Sequence, residues 1–394
     1  MAGKIIFFKG IYDTLDLYTD EFVHIFTQKG YETLVIHTDH MEKCLKQLGK
    51  FMEDAPVDAV IMFNNLGFNM ELAEGKNIWD ELQIPCINIL MDHPFHFDKA
   101  LRHAPQNATL LCMDQKHVDY VKRFYPNIRH IGFLPHAGIE SYGEHRPWQE
   151  RGIEVLYAGG LSKYVAQGLI PDLSSITDFD ALALSHYALQ ELAEHPHRTT
   201  EEVIEEYLQN EGLGYDDEKL NQTICKMRFL DSFAVSFYRE QSVRILVENG
   251  IPVTVYGAGW EQCEWANHPN LKLAGKIPAP DILTRMKDVK IVLHTMTWFK
   301  DGAHDRIFNG MLAGAVVVTD ESDYLQNRFT SGQELEMFAL PEIARLPQMV
   351  KALLEQPERA QRVADCGYHS AKEHDTWINR IDEIIIPLLS EKVV

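Results

Sequence analysis

Residues 84–94 read IPCINILMDHP. The run is apolar almost without a break, then stops at Asp92, His93 and Pro94. A strand with one wet face alternates apolar and polar residues, whereas a strand covered on both faces does not. The stretch therefore reads as a strand buried inside a parallel sheet, with two titratable groups at its carboxyl end.

The same signature repeats on either side. KIIFF (4–8), ETLVIH (32–37), VDAVIMFNN (57–65), ATLLCMD (108–114) and IRHIGFLPHAG (128–138) are further apolar strands. YTDEFVHIFTQKG (18–30) has helical spacing and closes on Gly30. Buried strands alternating with amphipathic helices make a doubly wound α/β domain. At 139–152 the texture turns polar, with Pro and Gly, and a domain boundary is expected there. The rhythm resumes with EVLYAGG (154–160), IPVTVYGAG (251–259), LKLAGK (271–276), KIVLHTM (290–296) and AVVVTD (315–320). Residues 165–232 break it and read as helical, with capping-type Thr and acids at TTEEVIEEYLQNEG. The expected organisation is an amino-terminal Rossmann-like domain over 1–150 and a second over 151–364. The second carries a helical insert at about 165–232, and carboxyl-terminal helices over 365–394 pack back toward the first domain.

The 394 residues are too many for one ordinary core, and 45% hydrophobic with 24% charged residues is usual for a globular chain. The net charge of −21 argues against gripping nucleic acid or an anionic membrane by bulk charge. A phosphate would have to be held locally, by a helix start and a few cations. The six cysteines form no C-x-x-C pair and read as reduced thiols of a cytoplasmic protein. No signal peptide or membrane-spanning run is read.

Two such domains would face each other across a cleft, with ligands at the strand ends. Gly159 and Gly160 follow a strand, with Lys163 shortly after. That pattern suits a phosphate and equally suits a tight turn. Gly257 and Gly259 form a G-x-G without the third glycine of a dinucleotide fingerprint, so they suit close approach of a nucleotide or of a neighbouring loop. Lys276 stands at another strand end. Asn64 and Asn65 close the third strand and are candidates for acceptor contact. Asp92 with His93, and His136 in LPHAG, are acid/base candidates, because histidine exchanges a proton near neutrality.

The polar stretch KDGAHDRIFNGMLAGAVVVTD (300–320) crowds Asp301, His304, Asp305 and Arg306 before an apolar strand. Helical spacing from about 302 puts Asp301 at the cap and Gly302 next to it. Asp305 and Asn309 then share a face. No second cluster at ligand spacing supports a metal site. A solvated helix start and a helix N-terminus holding an anionic, hydroxyl-rich ligand both remain open.

Residues 300–384 resemble the donor domain of group 1 glycosyltransferases, most closely the CgeB-like branch of the GT-B superfamily. The resemblance is carried by HDRIFNGMLAGAVVVTDESDY, FTSGQELEMF and LLEQPERAQRVADCGYHSAKEHDTWINRI, with Gly367, His374, Thr376 and Arg380 at motif positions. It implies a GT-B fold and transfer of a sugar from a nucleotide-diphosphate sugar, UDP-sugar by default, to a hydroxyl acceptor on a glycan or protein. It also implies no resident cofactor or metal. Asp301 and Asn309 fall on the family's two acids, eight positions apart, with an amide at the second. His304 and Arg306 match its polar and arginine positions. Lys163, Lys276 or Arg306 is expected to meet the leaving diphosphate. Two other readings share these features: a GT-B-type sugar-phosphate epimerase or phosphorylase, and a non-catalytic sugar-nucleotide-binding or scaffold subunit. Homo-oligomer formation through the insert is a further expectation.

Overall fold

The computed structural model describes residues 3–10, 13–71, 75–141, 143–162, 168 and 170–390, without the side chains of 41, 42 and 45. The chain forms two compact units, 1–135 with 377–394, and 136–376. The division falls earlier than the polar 139–152 stretch. Residues of that stretch are bonded into the second unit: Ile139 N donates to Asn309 Oδ1, and Arg151 donates to the carbonyls of Val289 and Ala313.

Unit 1 holds strands β1 (Gly3–Lys9), β2 (Tyr31–His37), β3 (Ala59–Phe63), β4 (Cys86–Leu90), β5 (Ala108–Cys112) and β6 (His130–Phe133). They form one sheet in the order β2-β1-β3-β4-β5-β6, and every pairing is parallel. The 84–94 run supplies β4, whose five residues are all buried. Helices on both faces explain that burial. The segment 377–390 belongs to this unit, where Trp377 packs 5.2 Å from Phe22 and 5.5 Å from Tyr18, ring to ring.

Unit 2 repeats the plan with β7 (Ile153–Ala158), β8 (Val253–Tyr256), β9 (Leu271–Leu273), β10 (Val289–Leu293), β11 (Val316–Asp320) and β12 (Glu336–Phe338). The order is β12-β11-β10-β7-β8-β9, again parallel throughout. The chain enters at the central β7, builds one half of the sheet after the insert, then crosses back to build the other. β12 is a strand the sequence did not announce: three residues, of which only Glu336 and Phe338 are buried, carry no periodicity to read.

The insert consists of helices Ala181–Glu194, Thr200–Asn210 and Asp217–Met227, and it leads into the long helix Phe229–Glu248. Asp180, Thr199 and Asp216 cap the three starts, Thr199 in a reciprocal box with Glu202. Among the described residues, no helix is long and apolar enough to cross a membrane.

Candidate active site

In unit 2 the ends of β7 and β10 and the loop after β11 meet the start of the helix Asp305–Leu312, and the end of β8 packs on the turn after β7. That helix starts later than the spacing predicts, and its cap is His304 instead of Asp301. His304 is the last residue with extended backbone (φ −100°, ψ 147°) and places its ring over the first turn. Gly302, just upstream, is fixed by its carbonyl, which accepts from Ser322 Oγ at 2.7 Å.

His304 anchors a chain of contacts. Its Nδ1 meets Asp305 Oδ1, and its Nε2 lies 3.2 Å from Arg306 Nη1. A neutral imidazole carries one proton. With that proton on Nδ1 the ring donates to Asp305, and Nε2 accepts from Arg306. In that tautomer the 3.3 Å approach of Arg306 N to the same Nδ1 is a contact and not a hydrogen bond, since a protonated Nδ1 cannot accept. Burial pushes the His304 pKa down to about 3, with the Arg306 charge acting in the same sense and Asp305 opposing. Burial also works against ionisation of Asp305, but His304, His136 and Arg306 outweigh it and hold the carboxyl well below the usual range. The arrangement supports an ionised Asp305 beside a neutral His304, because a second ring proton would face the guanidinium.

Asp305 Oδ2 accepts from Asn309 Nδ2 at 3.0 Å, and Asn309 Oδ1 accepts from Ile139 N at 2.8 Å. Both ends of the Asn309 amide are therefore engaged inside the protein, which departs from the ribose contact the family position implies. His136 is buried and stacks on His304 with ring centroids 5.8 Å apart. Arg306 faces the turn after β7: a Cβ added to Gly159 would stand 3.9 Å from its Cζ.

The glycines explain each other. A Cβ on Gly257 would come within 2.2 Å of the Gly159 carbonyl oxygen, and one on Gly259 within 2.2 Å of that of Leu161. Gly159 N and Leu161 N donate to the carbonyls of Tyr256 and Ala258 at 2.8 and 2.9 Å. The G-x-G is thus required by a neighbouring loop, the second of the two roles its sequence allowed.

Two residues here were not singled out from the sequence, although the first lies in the 294–306 stretch of strand-end positions expected to face a ligand. His294, one residue past β10, is 1% exposed, and among the described residues neither ring nitrogen has a hydrogen-bond partner. Its ring lies 4.6 Å from that of His304, and burial, with His304 and Arg306 adding, holds its pKa well down. Its place at a strand end was the available signal. Arg239, in the middle of the helix 229–248, reaches Gly160 O with Nη1 at 2.8 Å and lies 4.9 Å over the Trp298 ring. Nothing local to its sequence marks it. Asp320, at the end of β11, accepts from Met296 N at 2.8 Å and is pushed up to about 7 by burial.

The remaining candidates lie elsewhere. Lys276 is exposed between Ala274 and Ile277, which border a cavity of about 590 Å³ with Tyr256 and Arg285. Lys163 lies outside the described residues. Asp301 is half-buried ahead of the helix. In unit 1, Asn64 and Asn65 both adopt left-handed backbone, at φ 47° and 62°. Asn64 donates to Asp92 Oδ2 at 2.8 Å, and Asn65 accepts from Asn88 Nδ2 at 2.6 Å. Asn65 borders a cavity of about 370 Å³ with Asn69, His96 and Phe97. Asp92 is exposed, which argues for a carboxylate closer to ordinary than the upward pull of the surrounding protein suggests. His93 is buried, stacks 3.7 Å from Phe95 and accepts from Phe95 N. It is bound into the core of its unit, and burial holds its pKa well below the usual value. Among the described residues, no group of three or more His, Cys, Asp or Glu is arranged to hold a metal ion.

Two parallel six-stranded Rossmann-like units, with a polar site at the strand ends of the second, define an α/β protein of the GT-B fold. Residues 239–386 match the glycosyl transferase-like family. An α-glucosyltransferase solved with UDP and a 13-mer DNA containing a HMU base is similar over 99% of this chain and 100% of its own, at 10% identity and a TM-score of 0.54. A glycosyltransferase from Rickettsia africae ESF-5 is similar over 99% of both chains, at 9% identity and a TM-score of 0.50. Anabaena Alr3699/HepE, solved with UDP and glucose, covers 99% of this chain and 100% of its own at 12% identity and a TM-score of 0.48. None of the curated proteins compared with the chain matches it. Residues 239–386 are thus a glycosyl transferase-like domain, of the CgeB-like type that the sequence resembles.

Proposed function

We propose that the protein transfers a sugar from a nucleotide-diphosphate sugar to a hydroxyl of a glycan or protein, without a divalent ion. The observation that carries this reading is Arg306. Its guanidinium is half-buried and held against the Gly159 turn by His304, which is itself fixed by Asp305. A planar fork of donors at a glycine turn suits a diphosphate, and it supplies the charge compensation a metal would otherwise give. The sugar C1–O bond to the diphosphate breaks while a bond from C1 to the acceptor oxygen forms, and the acceptor proton passes to a base. Asp92 and His136 are the base candidates we favour over the core-bound His93. Asn64 and Asn65 remain our candidates for acceptor contact, beside the cavity at Asn65. The free state of all six cysteines supports a cytoplasmic setting.

The UDP held by the α-glucosyltransferase makes UDP the first ligand to try. Calorimetry with UDP, GDP, TDP and CDP should find one that binds, and Arg306→Ala should weaken it roughly 10- to 100-fold while transfer is lost. Transfer should persist in EDTA. Failure of all four nucleotides to bind would remove the donor reading and favour a scaffold role.

A further inference from the structure

We propose that Arg239, on the helix leading out of the insert, is a second cation for the leaving diphosphate, acting with Arg306 across the Gly159–Gly160 turn. The proposal rests on the donor reading above and deepens it by tying the insert to the leaving group.

Two guanidinium groups converge on that turn. Arg239 Nη1 donates to Gly160 O, and Arg306 stands beside Gly159. Among the described residues neither forms an ion pair, in a chain that carries 58 acidic residues against 37 basic ones. Like charges held close in a half-buried place are unfavourable unless an anion lies between them. The acids nearby are already engaged. Asp305 is paired with His304, Asp231 accepts from Thr200 Oγ1 at 3.1 Å, and Asp320 accepts from Met296 N. Burial and the Arg306 charge both lower the Arg239 pKa, so the protein does not offset its charge in full.

Two further observations point to a ligand. Among the described residues, Arg239 Nε is buried without a hydrogen-bond partner, and so are both ring nitrogens of His294. Unmet buried donors are costly, and the oxygens of a ligand would accept from Arg239 Nε and from the one N–H of a neutral His294. A diphosphate has acceptors on both sides and fits between two forks. Stacking on Trp298 keeps the Arg239 fork oriented.

The position of Arg239 also couples the insert to the site. Its neighbour Tyr238 donates its hydroxyl to Ala193 O, at the carboxyl end of the insert helix 181–194, at 2.5 Å. Lys300 Nζ bonds both Pro196 O in the insert and Thr297 O in the site loop. Consecutive residues of one helix thus touch the insert and the leaving-group turn.

The test uses the full chain as wild type, Arg239→Met and Arg239→Lys, with thermal unfolding to establish that each variant folds. Arg239→Met keeps length and the surface over Trp298, and Arg239→Lys keeps charge without the fork. Calorimetry reads UDP, UMP and inorganic pyrophosphate. UDP and pyrophosphate affinity should fall roughly 10- to 100-fold in the Met variant, with UMP changed less and Lys intermediate. In transfer, kcat should fall along with the rise in KM, because charge on the leaving group grows in the transition state. UDP affinity unchanged in a folded variant overturns the role of Arg239 and leaves the donor site standing. Pyrophosphate binding that depends on Arg239, with none of UDP, GDP, TDP and CDP bound, overturns the nucleotide reading and leaves the arginine pair standing. Wild type that binds neither class overturns both.

Discussion

Asp320 and His304 show how single buried groups set the pH response of unit 2. Asp320 has its pKa raised from 3.8 to about 7 by burial. Between those values the folded state keeps a proton that the unfolded state has lost. Stability therefore falls as pH rises through this window, by up to about 4 kcal/mol. His304, lowered from 6.5 to about 3, acts in the opposite sense. Its contribution is complete above about pH 6.5 and is lost as pH falls toward 3. Asp320→Asn keeps an acceptor for Met296 N and removes only the first effect. Urea unfolding at pH 5 and pH 8 should find the variant gaining on wild type as pH rises; equal pH slopes in the two proteins would sink the assignment. The sequence showed His304 and Arg306 as a cluster, but not that Asp305 and Asn309 complete a chain of bonds through them. Asn309 looked like a ligand because it falls on the second acid position of the family pattern and shares a helix face with Asp305. Its two partners are Asp305, on the same face, and Ile139 N, 170 positions away.

The turn pair after β7 and β8 behaves as one element. Gly257 cannot accept a side chain without moving the Gly159 backbone, since a Cβ would stand 2.2 Å from its oxygen and 2.8 Å from Gly160 N. Gly214, in the insert, has nothing within 4 Å of the same position. Gly257→Ala should therefore cost about 2 kcal/mol or more and displace the surface under Arg306, whereas Gly214→Ala should be close to neutral. Thermal unfolding and UDP calorimetry on the two variants check this, and equal effects would contradict it. Periodicity marked most strands well, because burial on both faces leaves a long apolar run. It failed at β12, where three residues pair with Val318, Thr319 and Asp320 at the sheet edge. It also placed the start of the helix 305–312 too early, because Asp301 is the better cap by residue type. His304 won because its ring lies over the first turn and bonds Asp305 and Arg306.

On the scale of the full chain, unit 1 is closed by a segment more than 240 positions after its last strand. Trp377, Ile381 and Ile385 are all 0% exposed within that unit. Trp377→Ala should destabilise unit 1 by about 3–5 kcal/mol through loss of its contacts with Tyr18 and Phe22. Hydrogen exchange should show faster opening across 3–135 than across 136–376. Uniform acceleration over both would indicate that the two units unfold as one.

Patterning alone pointed to two doubly wound α/β bodies, a helical interruption between strands of the second, and a polar helix start for which a solvated end and an anionic-ligand site both stayed open. Those features are local: period, run length and composition record how each segment is covered. The partnership of Arg239 with Arg306, the buried unpartnered His294, the mutual need of the two glycine turns and the assignment of 377–390 to unit 1 came from the folded chain. Each joins residues far apart in sequence, where side-chain reach and burial decide the outcome and no short stretch carries the signal.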